Sequence, residues 1–543
     1  MSSDAPIRPD PTAIQATSST SASTTSFPQV IPPLADLTLP GRSLILCFDG
    51  TGDQFDQDNS NIVRFVQLLK KDDKKRQMVY YQTGIGTGAG PSPQGKIATK
   101  ISQTLDTMIA SGLGDHVRGG YEFLMQNYSD GDRISLFGFS RGAYTARALA
   151  GMLHKVGLLP AYNNEQVPFA YHMFKRDDEE GWKMSNGFKR AFCVDVKIDF
   201  VGVFDTVNSV GIIPRELPFA KSNYLIRVFR HAVALDERRA KFKANLWGRS
   251  TEADEKLGED GKKKVYRQEK TKGGMWSYVT SWGSSDSVSS VKKAQGSRHR
   301  SGHDFTATAD RGHQTNVKEV WFVGAHCDVG GGSVSNDTPH SLARIPLRWM
   351  IRECFLNQTG ILFHSAELEE IGLSPASLWP SVNIPVPISD GYKPQLSDAT
   401  LVESPLQSPT LARSAKVSGT GSGSGMEMGI GTRTGTEGSL VPPEPIRLGS
   451  EQDAQDALQP IYDQLTLKWW WWILELLPMK QKYQRHDQSW RTWFSVNYGG
   501  PRVIHGQKRF TTYVHRTVQY RMQQLGYKPR AEILAEPGLT WVD

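Results

Sequence analysis

The segment RISLFGFSRGAYTARALAGMLH, residues 133–154, changes from an apolar run into an alanine-rich run through two glycines that flank a serine. Residues 134–137 predict a short buried strand, and the four alanines within 143–150 favour a helix that packs closely on a sheet. Between them, GFSRG at 138–142 matches G-x-S-x-G, the sharp strand-to-helix turn that projects a nucleophile from a parallel sheet. We therefore predict that Ser140 is an exposed nucleophile. An ordinary glycine/serine turn is the alternative.

The first strand that the sequence predicts is LILCF at 44–48, a continuous apolar run typical of a central parallel strand. It ends at Asp49, a candidate supporting residue, and continues into Gly50 and Thr51. Backbone amides at this position can face the nucleophile. We therefore expect Gly50 or Thr51 to form one half of an oxyanion hole and the amide of Arg141 to form the other half. A simple tight turn is the alternative.

Two more predicted strands end in residues that can complete a catalytic triad. Residues 196–204 predict a strand that closes on Asp205, where a hydrolase of this architecture places the acid that orients its histidine. A helix-capping aspartate is the alternative. Residues 317–323 predict a strand followed by a glycine-rich loop that contains His326, a position that favours a base reaching Ser140. The order Ser140, Asp205, His326 is the order of α/β-hydrolases.

The histidines and Asp328 allow other interpretations. One alternative is a metal site with His326 and Asp328 as ligands. Its only support is a single His-x-Asp pair, without a second histidine or a carboxylate cluster. Asp328 can instead hold the glycine loop through backbone hydrogen bonds, or replace Asp205 as the orienting acid. His515 is a second candidate base, but its place beside Arg516 in a predicted helix favours a structural role.

The succession of strands and helices predicts an α/β fold with an α/β-hydrolase-like, mostly parallel sheet and helices on both faces. Residues 231–239 are interpreted as one of these helices, with its charges in surface or sheet-edge salt bridges. The expected units are a disordered arm at 1–40, the catalytic domain at 41–390 with a polar disordered insertion at 249–315, a low-complexity linker at 391–457, and a tryptophan-rich C-terminal element at 458–543 that packs on the catalytic domain.

Charge and cysteine content narrow the function classes. The chain has 63 Lys and Arg against 56 Asp and Glu, but no dense basic run accompanies a nucleic-acid motif, so we expect no nucleic-acid partner. The four cysteines show no CxxC spacing, which favours free thiols in a reducing compartment. The sequence contains neither a secretory signal nor a run of the ~18 to 20 apolar residues that a membrane span needs. We therefore expect an intracellular, cytoplasmic protein.

A glycine-rich run, TGIGTGAG at 83–90, resembles a dinucleotide-binding loop only in composition. Its spacing differs from G-x-G-x-x-G, and Pro-Ser-Pro follows it where a helix should begin. We interpret it as a loop near the site and expect no nicotinamide, flavin or other cofactor and no metal.

Four consecutive tryptophans, Trp469, Trp470, Trp471 and Trp472, are the most unusual feature of the C-terminal region. Indole rings favour the membrane interface, so a lid or a peripheral membrane contact beside a lipid-accepting pocket is one interpretation. A helix packed across a sheet is the other, and the sequence favours neither.

Six separated motifs resemble the α/β-hydrolase domain of type VI secretion lipase effectors, a domain that many fungal proteins also carry. The resemblance covers residues 42 to 355, apart from the polar insertion, and rests on the motifs ILCFDGTGD, YYQTGIGTG, FGFSRGAYTARALAGML, FVGVFDTVNSVG, HAVALDERRAKF and VWFVGAHCDVGGG. The tryptophan-rich C-terminal piece is similar to that of the fungal members.

The resemblance implies a catalytic role for three residues: Ser140 as nucleophile, Asp205 as orienting acid and His326 as general base. Bacterial members are phospholipases, so it also implies a lipid ester as the substrate class. The expected function is therefore a serine esterase or lipase that forms an acyl-enzyme. A catalytically inactive fold that serves as a membrane-surface or scaffold module is the alternative.

Overall fold

The computed structural model describes residues 27–33, 41–50, 53–84, 98–207, 223, 225–248, 315–383, 448, 450–484, 490–505, 512–534 and 539–543, with backbone alone at 98–111, 479–484, 490, 492, 505 and 534. Most of the arm predicted at 1–40, nearly all of the insertion predicted at 249–315, and residues 391–447 of the predicted linker lie outside these ranges.

The secondary structure alternates between strands and helices over most of this part of the chain. The strands are β1 (Val30–Ile31), β2 (Ser43–Phe48), β3 (Gln77–Gln82), β4 (Arg133–Phe139), β5 (Ile198–Phe204), β6 (Ile226–Ala234), β7 (Asn316–Phe322), β8 (Phe363–His364), β9 (Met479–Gln484), β10 (Trp490–Ser495), β11 (Val503–His505), β12 (Thr512–His515), β13 (Glu532–Leu534) and β14 (Leu539–Val542). The helices are α1 (Asn61–Leu68), α2 (Ala98–Asn127), α3 (Ser140–Val156), α4 (Val167–Lys175), α5 (Glu179–Phe192), α6 (His326–Gly330), α7 (Arg344–Leu356), α8 (Ser365–Glu370), α9 (Glu451–Ala457), α10 (Gln464–Leu467), α11 (Trp471–Glu475) and α12 (Arg516–Leu525).

Eight of these strands form one sheet in the order β14-β12-β7-β6-β5-β4-β2-β3. Every neighbouring pair in it is parallel. The predicted α/β fold with a mostly parallel sheet is therefore confirmed. Because all eight strands run in the same direction, the residues that follow β4, β5 and β7 all emerge at one edge of the sheet.

The sheet is covered on both faces, and the alternation of side chains along each strand divides the core in two. In β2, Ile45 and Cys47 belong to a cluster that includes buried residues of α1 and α7, whereas Leu44, Leu46 and Phe48 belong to a cluster with residues of α2 and α3. A strand buried on both sides is continuously apolar, which explains the unbroken run LILCF. None of the described helices is long and apolar enough to cross a membrane.

The helix predicted over 231–239 is wrong. Residues 226–234 form β6, which pairs with β5 and β7 in the middle of the sheet. Apolar periodicity does not separate a strand buried on both faces from a short buried helix, which accounts for the error. The charged residues after it, Asp236, Glu237 and Arg239, are buried rather than at the surface.

The C-terminal region is part of the central sheet. Strand β12 pairs with β7, and β14 pairs with β12, so the last strands extend the sheet at one edge. The C-terminal end of the predicted linker is also corrected, because residues 451–457 form α9. This helix is held by its aspartates: Asp453 and Asp456 both accept hydrogen bonds from the buried guanidinium of Arg348 on α7.

Candidate active site

The turn between β4 and α3 places Ser140 in a left-handed backbone conformation, with φ of 58°. Strand and helix pass so closely here that only glycine fits at 138 and 142. A Cβ at Gly142 would lie 2.3 Å from the carbonyl oxygens of Phe48 and Asp49, and one at Gly138 would lie 2.6 Å from the carbonyl oxygen of Gly142. These contacts explain both glycines of the G-x-S-x-G motif.

The Gly142→Ala substitution is expected to destabilise the protein by about 2 kcal/mol, because the added methyl meets backbone atoms that cannot turn aside. Gly187→Ala on α5 is the matched control, since a Cβ there meets nothing within 4 Å. That control should gain about 0.5 to 1 kcal/mol, because alanine favours the helix. Urea unfolding of both variants checks this pair of values, and equal midpoints would contradict the packing described for the turn.

Ser140, His326 and Asp205 are joined by hydrogen bonds. The His326 Nε2 atom lies 2.8 Å from Ser140 Oγ, and its Nδ1 atom lies 2.6 Å from Asp205 Oδ2. All three side chains are buried, so the expectation that Ser140 is exposed is wrong: it is 4% exposed. Aromatic rings enclose the His326 imidazole, with Phe139 at 4.6 Å and Phe242 at 4.8 Å between ring centroids.

His326 begins the short helix α6 rather than lying in an open loop, which corrects the sequence interpretation. Its backbone N–H donates to Glu237 Oε2 at 3.2 Å, so an acid from the segment that follows β6 holds the first residue of this helix. Burial lowers the pKa of His326 below its usual value, although the hydrogen bond and charge of Asp205 act in the opposite direction. The imidazole is therefore held neutral, the form in which Nε2 can accept a proton.

Asp205 follows β5 with φ of 36°, a second strained backbone position at the site. Its Oδ1 accepts hydrogen bonds from the Ala234 amide at 3.0 Å and from Arg502 Nη1 at 2.6 Å. Its Oδ2 accepts from Arg502 Nη2 at 2.9 Å as well as from His326. Burial alone would raise the pKa of Asp205, but the Arg502 charge and these hydrogen bonds outweigh it and hold the pKa below its ordinary value.

The candidate oxyanion residues have different surroundings. The Gly50 amide donates to Asp49 Oδ1 at 2.8 Å, which argues against Gly50 as a donor to an oxyanion. Thr51 lies outside the described residues. Arg141 is the second residue of α3 and directly follows Ser140.

Asp49 supports the loop after β2, and its hydrogen-bond partners are other residues than Ser140, His326 and Asp205. Its Oδ1 also accepts the Ser60 hydroxyl at 2.6 Å, and its Oδ2 accepts the Tyr81 hydroxyl at 2.8 Å. Burial raises the pKa of Asp49 above its ordinary value. Ser60 in turn caps α1, so Asp49 connects β2, β3 and the start of that helix.

Asp328 holds the backbone around α6, one of the roles considered for it. Its Oδ2 accepts the Ala325 amide at 2.9 Å and the Tyr462 amide at 2.9 Å, which joins the histidine segment to the C-terminal region. Burial raises the pKa of Asp328 to about 7. The alternative interpretation made His326 and Asp328 metal ligands. In the structure the His326 ring bonds to Ser140 and Asp205, whereas the Asp328 carboxylate accepts two backbone amides.

His515, the second candidate base, is the last residue of β12 and caps α12, so the prediction that it lies within a helix is wrong. Its Nδ1 is 2.8 Å from Thr517 Oγ1, and its ring stacks on Phe322 with 4.8 Å between centroids. Burial lowers the pKa of His515 to about 3, which keeps it neutral. These contacts are those of a capping and packing residue.

The tryptophan run divides between the site and the solvent. Trp471 faces inward, 5.5 Å from Phe242 between ring centroids, while Trp469 is 75% exposed and Trp470 and Trp472 are also exposed. Glu475 fastens α11 to the segment after β6, since its Oε1 accepts the Ala240 amide at 2.6 Å. The run therefore does not pack wholly across a sheet.

Sequence reasoning missed four charged residues around the site. Asp236 accepts the Gly324 amide at 2.7 Å before the histidine, and Glu237 binds the His326 amide and pairs with Arg239. The fourth is Arg502. The run LDERR directly after an apolar stretch was the available signal for the first three, because residues that follow a parallel strand lie at the active edge of the sheet.

A sequence model of the T6SS phospholipase effector Tle1-like catalytic domain matches residues 42–353. The chain belongs to this family. The match spans β2 to α7 and so includes Ser140, Asp205 and His326, whereas the Tle1-like domain ends before the segment that carries Arg502 and the tryptophans. Tle1-like membership makes this a domain of the phospholipase-like hydrolase type.

Individual relatives are more distant. The Saccharomyces cerevisiae (strain ATCC 204508 / S288c) protein named Uncharacterized protein YEL023C is 27% identical over 554 residues, covering 86% of this chain and 77% of that protein. The crystal structure of an uncharacterized protein from Pseudomonas aeruginosa shares 17% identity at a TM-score of 0.31, over 63% of this chain and 50% of that one. The structure of the Tle1 effector bound to the VgrG spike from the Type 6 secretion system shares 17% sequence identity at a TM-score of 0.26. The match covers 55% of this chain and 53% of that one. The chain spans about half the length of these two solved chains.

Proposed function

We propose that this protein is a serine hydrolase of lipid esters that works through Ser140, His326 and Asp205. The proposal is carried by the continuous series of hydrogen bonds from Ser140 Oγ through both ring nitrogens of His326 to Asp205. In known triads this arrangement turns a hydroxyl into a nucleophile near neutral pH. Membership of a phospholipase effector family supports a lipid ester as the substrate class.

The reaction begins when Ser140 Oγ attacks the ester carbonyl carbon while its proton moves to His326 Nε2. Asp205 stabilises the imidazolium through its hydrogen bond to Nδ1. As the tetrahedral intermediate collapses, Nε2 gives its proton to the leaving alcohol, and an acyl group remains on Ser140. Water then attacks the acyl carbon as His326 Nε2 takes its proton. Nε2 returns that proton to Ser140 Oγ as the bond between Oγ and the acyl carbon breaks, which releases the carboxylic acid and restores the serine hydroxyl.

The negative charge that develops on the carbonyl oxygen needs donors at the start of α3. The Arg141 amide belongs to the first turn of this 17-residue helix, directly after the nucleophile. The positive end of the helix dipole lies there, which favours an anion. We assign Arg141 as one oxyanion donor on this basis.

Hydrolysis by the full-length protein tests the proposal. Phospholipid vesicles, a triacylglycerol emulsion and a soluble p-nitrophenyl ester are each offered with and without a fluorophosphonate. We expect fatty acid release from lipid ester and its loss after treatment with the probe. Absence of hydrolysis in all three, together with absence of labelling, would contradict a hydrolase and leave the scaffold role.

We further propose that lipid is met at an exposed apolar surface around α11, named here the tryptophan surface. Its members are large apolar side chains that are at least 40% exposed: Leu467, Trp469, Trp470, Trp472, Ile473, Leu476 and Leu477. The exposed Lys468 lies within it, which suits an anionic bilayer. Its inward-facing member Trp471 contacts Phe242, which contacts His326, so bilayer and active site would be adjacent.

Trp469→Ser should reduce hydrolysis of vesicle lipid about tenfold more than hydrolysis of the soluble ester, because burying a large apolar side chain is worth about 1.5 kcal/mol or more. Phe169→Ser on α4 is the matched control, since Phe169 is also an exposed aromatic residue. The measurement is the ratio of vesicle-lipid hydrolysis to soluble-ester hydrolysis for each variant, with anionic and with neutral vesicles. An equal ratio in the two variants would contradict membrane contact through the tryptophan surface.

A further inference from the structure

Arg502 binds the same carboxylate that is hydrogen-bonded to His326, that of Asp205. Its two terminal nitrogens donate one hydrogen bond to each carboxylate oxygen, at 2.6 Å and 2.9 Å. The same two nitrogens also donate to the carbonyl oxygens of Ala234 at 2.9 Å and Phe242 at 2.5 Å. Such two-point pairing fixes the plane of a carboxylate as well as its position.

The arginine reaches the site from a distant part of the chain. It lies 297 residues after Asp205, immediately before β11, and its own carbonyl oxygen accepts the Glu532 amide at 2.9 Å. The matched Tle1-like domain ends at residue 353, so the segment that supplies Arg502 lies beyond it. The active site of this chain therefore includes a residue from outside the family domain.

A compensating cation is physically required at this place. Asp205 is fully buried and Arg502 is 3% exposed, so solvent does little to stabilise either charge. A carboxylate buried beside a neutral imidazole alone would favour its protonated form, in which it no longer accepts a hydrogen bond from Nδ1 with full strength. The guanidinium removes this penalty, and the Ala234 amide completes the set of donors.

The charges around His326 come from three segments. Asp205 follows β5, Glu237 and Arg239 follow β6, and Arg502 precedes β11. Glu237 and Arg239 pair with each other at 2.8 Å, and Asp205 pairs with Arg502 at 2.6 Å, so each anion is balanced by an arginine. Removing one arginine leaves a negative charge that only a proton can neutralise, so the buried Asp205–His326 pair binds a proton at a higher pH.

We propose that Arg502 is a positioning residue of the active site, which holds Asp205 ionised and oriented toward His326. This inference rests on the proposed hydrolase function. It assigns to the C-terminal region a direct part in catalysis, in addition to its strands in the sheet.

The test compares Arg502→Met and Arg502→Lys with Arg230→Met in the full-length protein, using the soluble ester. Arg230 forms a similarly buried pair with Glu353 between β6 and α7, so its loss reports destabilisation alone. We expect Arg502→Met to lower kcat/KM about 10²-fold, the order of loss that a displaced catalytic group causes. The acid limb of its pH–rate profile should move up by about one pH unit, because the Asp205–His326 pair binds a proton more readily.

Arg502→Lys keeps the charge but loses the two-point pairing, so its rate should fall about tenfold while its acid limb stays at the wild-type pH. If Arg502→Met does not fold, this variant decides. A rate for Arg502→Lys within twofold of wild type, or losses no larger than that of Arg230→Met, would overturn the proposal.

A second measurement separates positioning from general structure. In an Asp205→Asn background, Arg502→Met should lower kcat/KM less than about threefold, because no carboxylate remains for the arginine to orient. An undiminished loss would overturn action through Asp205. If the wild-type protein itself neither hydrolyses esters nor reacts with a fluorophosphonate, the proposed function fails, whereas an active wild type with an indifferent Arg502 overturns this inference alone.

Discussion

Ser140→Ala should lower kcat by about 10⁶-fold, the loss found when the nucleophile of a serine triad is removed. The residue is the only member of the hydrogen-bonded series that can form the acyl-enzyme, since the imidazole of His326 is aimed at its Oγ. The fold should persist, because alanine fits wherever the Ser140 side chain fits. Serine and alanine bear the same backbone strain at a φ of 58°, so the substitution does not add to it.

Ser185→Ala is the matched control for this loss. Ser185 is also a buried serine with a hydrogen bond, to the carbonyl oxygen of Trp182, but it lies in α5. Its kcat should equal that of the wild type. Turnover of the p-nitrophenyl ester by Ser140→Ala at the wild-type rate would disprove the assignment of the nucleophile.

Asp205→Asn should lower kcat by about 10⁴-fold with little change in shape. An amide in place of the carboxylate can donate to Nδ1, which leaves the imidazole proton on Nε2, and that nitrogen then cannot accept the serine proton. The substitution also leaves the buried Arg502 without its anion. A loss of thermal stability should therefore accompany the loss of rate.

Asp199→Asn is the control on the same strand, six residues earlier, where the carboxylate pairs with Arg227 at the sheet's other end. Pre-steady-state measurement of the acyl-enzyme burst distinguishes the Asp205→Asn variant from the Asp199→Asn control, since only Asp205→Asn should slow acylation. An unaltered burst in Asp205→Asn would show that another group orients His326.

The sequence was sufficient to predict that Ser140, Asp205 and His326 lie together, because each follows a strand of strong apolar character. Strands β4, β5 and β7 were all predicted, and in a parallel sheet their C-terminal ends share an edge. Ser140, Asp205 and His326 therefore come together without any knowledge of the loops between them. The glycines at 138 and 142 carried further information, because a close approach of backbones leaves no other choice.

The contacts across long separations were not predictable in this way. Arg502 meets Asp205 across 297 residues, and its own surroundings, a short strand of three residues, have no clear periodic pattern. Strands β12 and β14 are also short, at four residues each, and take their structure from pairing: β12 pairs with β7, and β14 pairs with β12. Tertiary pairing rather than local propensity determines such elements.

Burial of Ser140 was not predicted, for a physical reason. A strand-to-helix turn alone would present Ser140 to solvent, but α6 brings His326 over it, and Phe139 and Phe242 enclose the imidazole. The acids that hold α6, Glu237 and Asp328, lie on different segments, one after β6 and one within α6 itself. Only the assembled sheet edge shows them together.

The most direct test of the central claim is the site of covalent modification by a fluorophosphonate. The purified protein is treated at neutral pH, digested and analysed by peptide mass spectrometry. The account predicts a single adduct on Ser140, formed slowly or not at all in Asp205→Asn. An adduct on another residue, or unmodified Ser140 after prolonged treatment of a folded protein, would contradict it.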